Sequence, residues 1–174
     1  MILIYTGNGK GKTSAAIGQV VRALGHGGRA AVAQFIKQDP NILDSGEAKI
    51  LKHLGVTWKS FGAGFTWIEG NDEKNRILAP QGWVAVKEWL ESGAFDIIVL
   101  DEFTYTLNFG YIDGTEVAAY LNAHRGKEGF AHIVITGRDA PKELIEIADM
   151  VSDVGEVKHH LTNSGIEAAP MIEF

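Results

Sequence analysis

Thr6-Gly7-Asn8-Gly9-Lys10-Gly11-Lys12-Thr13-Ser14 is a run suited to holding a chain of phosphates. Its glycines let backbone N–H groups turn inward, and a helix that follows adds the positive end of its dipole. Lys12 supplies a point charge and the Thr13 hydroxyl is placed to hold Mg²⁺ (or Mn²⁺), so the ligand expected is the triphosphate of Mg-ATP. The run departs from the common pattern G-x-x-x-x-G-K-S/T. Gly7 stands four positions before Gly11, and Thr6 takes the place of the usual first glycine. The plainer alternative is a glycine-rich turn carrying two surface lysines; the order strand, loop, helix favours phosphate.

A second group is Asp101-Glu102, at the tip of the apolar run Ile97-Ile98-Val99-Leu100. A buried strand that ends in a carboxylate can deliver it to a cation bound with phosphates. Adjacent acids on a strand point to opposite sides, so one of the two is expected to face the metal. Alone, the pair reads equally as a solvated turn; next to a phosphate loop it reads as part of a site. Phe61-Gly62-Ala63-Gly64-Phe65-Thr66-Trp67 is a third group, with large aromatic side chains between glycines and no periodicity. It suits a flat apolar ligand or a partner surface, or else Phe65 and Trp67 plug the core from a loop. His159-His160 lacks a third ligand at metal-binding spacing and is read as a surface or core-edge pair. Trp83 and Trp89 fall within a helical pattern and are read as packing residues.

The elements that must position these groups alternate in type. Apolar strands are expected at Ile2 to Tyr5, Ala30 to Ile36, Val56 to Phe61, Ile97 to Leu100 and Ile133 to Thr136. Helical spacing is expected over Lys12 to Leu24, Ser45 to Leu54, Ile77 to Leu90, Thr115 to His124 and Pro141 to Met150. Pro80 would lie near the start of the third helix, and Pro141 at the first position of the last. Val151 to Phe174 reads as strand-like pieces. Continuous apolar strands alternating with helices indicate an α/β fold with a parallel sheet covered on both faces. Ligands in such folds sit at the carboxyl ends of the strands. The phosphate loop, Asp101-Glu102 and Gly137-Arg138 all fall there.

With 174 residues, 45% hydrophobic and 22% charged, the chain has the size and composition of one globular domain spanning 1–174. Its net charge of -6 excludes the basic footprint of a nucleic-acid binder, so its cations are read as local phosphate ligands. There are no cysteines, hence no disulfide or thiolate metal site. No apolar stretch approaches membrane-spanning length and the N-terminal run reads as a strand, so a cytoplasmic protein is expected.

Taken together, T-G-N-G-K-G-K-T, Gln34-Phe35-Ile36-Lys37, G-F-T-W at Gly64 to Trp67, V-L-D-E-x-T-Y at Val99 to Tyr105, I-T-G-R at Ile135 to Arg138 and V-K-H at Val157 to His159 resemble the ATP:corrinoid adenosyltransferases of the CobA/CobO/BtuR type. The match runs nearly end to end, and the shortened loop is that family's own form. Two departures are Ile68 after Trp67, where the family usually has Glu, and a C-terminal end that follows the family's A-Q-x-G-I-E-Y/F only in part. The resemblance implies a P-loop NTPase-like (RecA-type) fold with a mostly parallel sheet. It implies transfer of the 5′-deoxyadenosyl group of ATP to the cobalt of a reduced corrinoid, with release of triphosphate. Carried over by position, Thr6, Gly7, Asn8, Gly9, Lys10, Gly11, Lys12, Thr13 and Ser14 would hold the triphosphate, and Thr13 and Glu102, with Asp101, the Mg²⁺. Phe65 and Trp67 would lie against the corrin and displace its lower axial ligand, and Arg138 would make polar contacts near the site. The resemblance further implies a homodimer and an electron donor such as a reduced flavoprotein. A P-loop kinase or ATPase, and a non-catalytic ATP-dependent binding module, stand as alternatives.

Overall fold

The computed structural model describes residues 1–37, 45–64, 66–169 and 171–172. In chain order the elements are β1 (Ile2–Thr6), α1 (Lys12–Gly25), β2 (Ala30–Phe35), α2 (Gly46–His53), β3 (Thr57–Phe61), α3 (Asn71–Ser92), β4 (Ile97–Asp101), α4 (Phe103–Asn108), α5 (Gly114–His124), β5 (His132–Thr136), α6 (Lys142–Ile147), β6 (Met150–Asp153) and α7 (His160–Ser164). The strands form one sheet in the order β3-β2-β4-β5-β1-β6. Every pairing is parallel, so the expected α/β class stands and the sheet is parallel throughout.

Alternation along each strand builds two cores. Ile2, Ile4, Ala31, Ala33, Phe35, Ile98, Leu100, Ile133 and Ile135 pack with side chains of α3, α4, α5 and α6. Tyr5, Val32, Val99 and Val134 point the other way, onto Ala16 and Val20 of α1 and Ala48 and Leu51 of α2. Trp83 is buried in the first core and Trp89 packs at its edge, as their helical spacing suggested.

The largest differences from the sequence reading lie in α3, in α6 and in the last segment. Helix α3 starts at Asn71 instead of Ile77, because its first turn is polar and is launched by Gly70 at φ 78° with Asp72 and Glu73 near the N-terminus. Pro80 therefore lies inside the helix; both it and Arg76, whose carbonyl loses its helical donor, are exposed, so water can satisfy that group. Helix α6 ends at Ile147, and Met150, expected in the helix, opens β6 instead. The open edge of β1 recruits this segment, pairing Leu3 with Met150 and Thr6 with Asp153, and Asp149 Oδ2 accepts the Ile2 N–H at 2.7 Å. Of the last segment only the 151–153 portion is strand, and 160–164 is a short helix. No helix among the described residues is long and apolar enough to cross a membrane.

Candidate functional site

All strands being parallel, their carboxyl ends share one rim, and every loop the sequence singled out leaves from it. The phosphate run follows β1, Ile36-Lys37 follows β2, the aromatic run follows β3, Glu102 follows β4 and Gly137-Arg138 follows β5. A cavity of about 630 Å³ opens there, walled by Asn8 to Ser14 of the phosphate run together with Lys37, Glu102, Tyr105 and Arg138.

Two kinds of glycine build the phosphate run. Gly11, at φ 113°, begins α1 with no side chain capping the helix and open space where a Cβ would be. The first helical N–H groups are thus left available at the cavity. Gly7 and Gly9 serve packing instead: a Cβ on Gly7 would lie 2.2 Å from Asp153 Oδ1, and one on Gly9 2.4 Å from the Gly155 carbonyl oxygen. The run is laced to the exit of β6, with Gly9 N–H donating to Val154 C=O at 2.7 Å and Val154 N–H to Thr6 C=O at 2.8 Å. Lys12 Nζ folds back across it, donating to the Gly7 and Gly9 carbonyls at 2.7 Å each. Burial, and then the Arg138 charge, lower the Lys12 ammonium below the usual lysine range. Arg138 itself reaches the Asn8 carbonyl at 3.5 Å. Lys10 and Ser14 are cavity walls as well.

Asp101 and Glu102 do diverge, though not as neighbours on a strand. Asp101 ends β4 and is fully buried. Its Oδ1 accepts from the Thr13 and Thr136 hydroxyls at 2.7 Å each, and its Oδ2 from Gln34 Nε2 at 3.3 Å. Glu102 has already left the strand, in the left-handed region at φ 57°, with its N–H on Thr136 Oγ1 at 2.8 Å. That turn sends its carboxylate to Lys37 Nζ, 2.9 Å away. Burial pushes the Glu102 carboxyl up against the opposing pull of Lys37, and Asp101 adds to the rise. Lys37 moves up too, because Glu102 and Asp101 together outweigh its own burial. Burial and the Glu102 charge raise the Tyr105 phenol, which stays a neutral hydroxyl at the cavity wall.

The aromatic run lies farther along the rim, at the edge strand β3. Phe65 lies outside the described residues. Trp67 is 77% exposed and is not among the residues walling the cavity. The core-plug alternative therefore fails for Trp67. His159 and His160 stack on each other, and His159 Nδ1 caps α7 by accepting the Leu161 N–H, which is a structural role at the surface.

Sequence reasoning missed several contributors. Gln34 and Lys37 entered only as part of a motif, and Thr136 as the end of a strand. In the sequence Gly137 carries no signal beyond its place after a strand. At φ 141° it packs so closely that a Cβ would lie 2.0 Å from Thr104 Oγ1, the hydroxyl that donates to the Arg138 carbonyl at 2.6 Å. Gly137→Ala is expected to destabilise the fold by about 2 kcal/mol or more, read as a lowered Tm. Gly18→Ala, within α1 and facing open space, should instead be neutral or stabilising.

With the geometry in place, comparison with known proteins agrees with it. A family model described as ATP:corrinoid adenosyltransferase BtuR/CobO/CobP matches residues 1–174. The protein named corrinoid adenosyltransferase CobA of Salmonella typhimurium is 38% identical over 175 residues, covering 100% of this chain and 85% of the relative. The corrinoid adenosyltransferase of Escherichia coli K12 is 37% identical over the same span and shares. That of Pseudomonas aeruginosa is 35% identical over 176 residues, covering 100% of this chain and 83% of its own length. With that family model matching from end to end and relatives of 35–38% identity covering all of it, the chain belongs to the ATP:corrinoid adenosyltransferase family.

Proposed function

We propose that residues 1–174 form one catalytic domain that transfers the 5′-deoxyadenosyl group of ATP to the cobalt of a reduced corrinoid. The observation that carries this reading is the distance between its two loops along the rim. The phosphate run leaves β1, and the aromatic loop leaves β3, four strand positions away in the sheet order. At about 4.8 Å per strand, that places them roughly 19 Å apart. A phosphoryl acceptor would have to meet the terminal phosphate. Here the exposed Trp67 follows the edge strand β3, and the exits of β2 at Lys37 and β4 at Glu102 lie between it and the phosphate run. ATP held by its triphosphate on Lys12 would keep C5′, one oxygen from the α-phosphate, beside the phosphate run, and the broad corrin ring would span from there toward Trp67 on the β3 side.

The step balances without a further reactant. The Co(I) lone pair attacks C5′, the C5′–O5′ bond breaks, and its electron pair leaves on the oxygen of triphosphate. Cobalt becomes formally Co(III), and a reduced flavoprotein or similar donor would supply the electron that takes Co(II) to Co(I). Lys12, with Lys10, Arg138 and the uncapped start of α1, would hold the triphosphate through departure. Phe65 and Trp67 would cover the lower corrin face, keeping out water and the axial donor, which eases reduction. The enzyme is proposed to act as a homodimer.

The donor set fits a hard divalent cation, Mg²⁺ or Mn²⁺. The Thr13 hydroxyl donates its hydrogen bond to Asp101 and so keeps its oxygen lone pairs, and Glu102 lines the same cavity. These three residues would hold the ion, which when bound offsets phosphate charge. Nucleotide binding should also show proton linkage. Triphosphate favours the charged form of Lys12, whose free-state value is lowered. Affinity is then full below that lowered value and declines as pH rises through it, with proton uptake on binding in that window. Calorimetry in two buffers of different ionisation enthalpy reads the uptake.

ATP labelled in its adenosyl carbons, given with chemically reduced cob(I)alamin, should leave the label bonded to cobalt in a light-sensitive product. Label remaining wholly in ADP or AMP would sink the proposal in favour of a kinase or ATPase.

A further inference from the structure

The aromatic loop is tied down by groups that no periodicity reveals. Gly64 N–H donates to the Ile36 carbonyl at 2.8 Å. Asn75, on α3 and fully buried, turns both ends of its carboxamide to the loop. Its Oδ1 accepts the Ala63 N–H at 2.8 Å, and its Nδ2 donates to the Gly64 carbonyl at 2.9 Å. The fit is close enough that a Cβ on Gly62 would lie 2.5 Å from the Ile36 carbonyl carbon, and one on Gly64 3.0 Å from Asn71 Nδ2. Trp67 follows three residues on, exposed at the rim. A side chain needs an acceptor and a donor at that one length to satisfy both backbone groups, and among the amino acids a short amide supplies them. Ile36, itself left-handed at φ 59°, immediately precedes Lys37, so the same anchor touches the wall of the nucleotide cavity.

We infer that Asn75 is a positioning residue for the corrinoid step, fixing the base of the aromatic loop so that the exposed ring of Trp67 is held where the corrin docks. The inference rests on the proposed reading that this loop meets the corrinoid. Asn75 does not touch the phosphate run, so its removal should separate the two substrates.

The test compares wild type with Asn75→Ala, Asn75→Asp, Trp67→Ala and the double variant. Each is assayed with pre-reduced cob(I)alamin and with cob(II)alamin plus a reductant, alongside ATP affinity and Tm. Asn75→Ala should lower kcat/KM on the Co(II) route by about tenfold or more, with ATP affinity within about twofold of wild type. Asn75→Asp keeps an acceptor for Ala63 N–H and should fall between; it carries the test if Asn75→Ala does not fold. Because Asn75 acts through the loop, the double variant should be little worse on that route than Trp67→Ala alone. If Trp67→Ala impairs the Co(II) route but folded Asn75 variants do not, the role of Asn75 falls while the loop reading survives. Parallel loss of ATP affinity and corrinoid turnover would also overturn it, showing general damage. If Trp67→Ala leaves the Co(II) route intact, the loop reading itself fails, and this inference with it.

Discussion

Lys12→Ala should lower kcat/KM for ATP by about a thousandfold, the scale of removing the main positive group from a preorganised oxyanion site. In the free enzyme Lys12 Nζ is occupied by the Gly7 and Gly9 carbonyls, so it is already poised across the loop. Those two bonds are modest, and their loss should change stability by about 1–3 kcal/mol. Steady-state kinetics beside a melting curve separates the two effects. A large fall in Tm would assign Lys12 to holding the loop, and full activity would remove it from the site. Lys12→Arg should not restore turnover, since a planar guanidinium cannot take the place of a compact ammonium between two carbonyls.

The second large effect is expected at the other end of the rim. Trp67→Ala should reduce adenosylation from cob(II)alamin by about a hundredfold while costing far less when the corrinoid is supplied as cob(I)alamin. An apolar cover on the lower face matters most where an axial donor must be excluded for reduction to proceed. Phe65→Ala is expected to behave alike on sequence grounds. Parallel assays with the two cobalt states decide the matter. Equal losses in both would mean that the rings serve binding or folding and not the reduction.

What could be read in the sequence was what short-range chemistry controls. The strand-loop-helix order around Lys12, the apolar run ending at Asp101 and the β5 exit at Arg138 each announce themselves within a few residues. The parallel sheet followed from apolar runs too continuous for a half-exposed strand. Features set by tertiary partners stayed hidden. Helix α4 is only six residues long and begins at a left-handed Glu102, a conformation fixed by Thr136 across the sheet. Strand β6 exists because β1 has an open edge, not because Met150 to Asp153 alternates strongly. Asn75 looked like any polar helical residue, since its partners lie 11 and 12 positions away in a loop without periodicity. Within the acidic pair, sequence alone could say that the two acids part. It could not say that Asp101 would meet Thr13 while Glu102 pairs with Lys37.

The central claim is that the phosphate run holds a leaving group, and phosphorus analysis of the spent reaction tests it most directly. Reduced corrinoid, Mg-ATP and enzyme should yield one triphosphate for each cobalt–carbon bond formed, followed by ³¹P spectroscopy and the visible spectrum together. ADP with orthophosphate or a phosphorylated acceptor, and no triphosphate, would contradict the account.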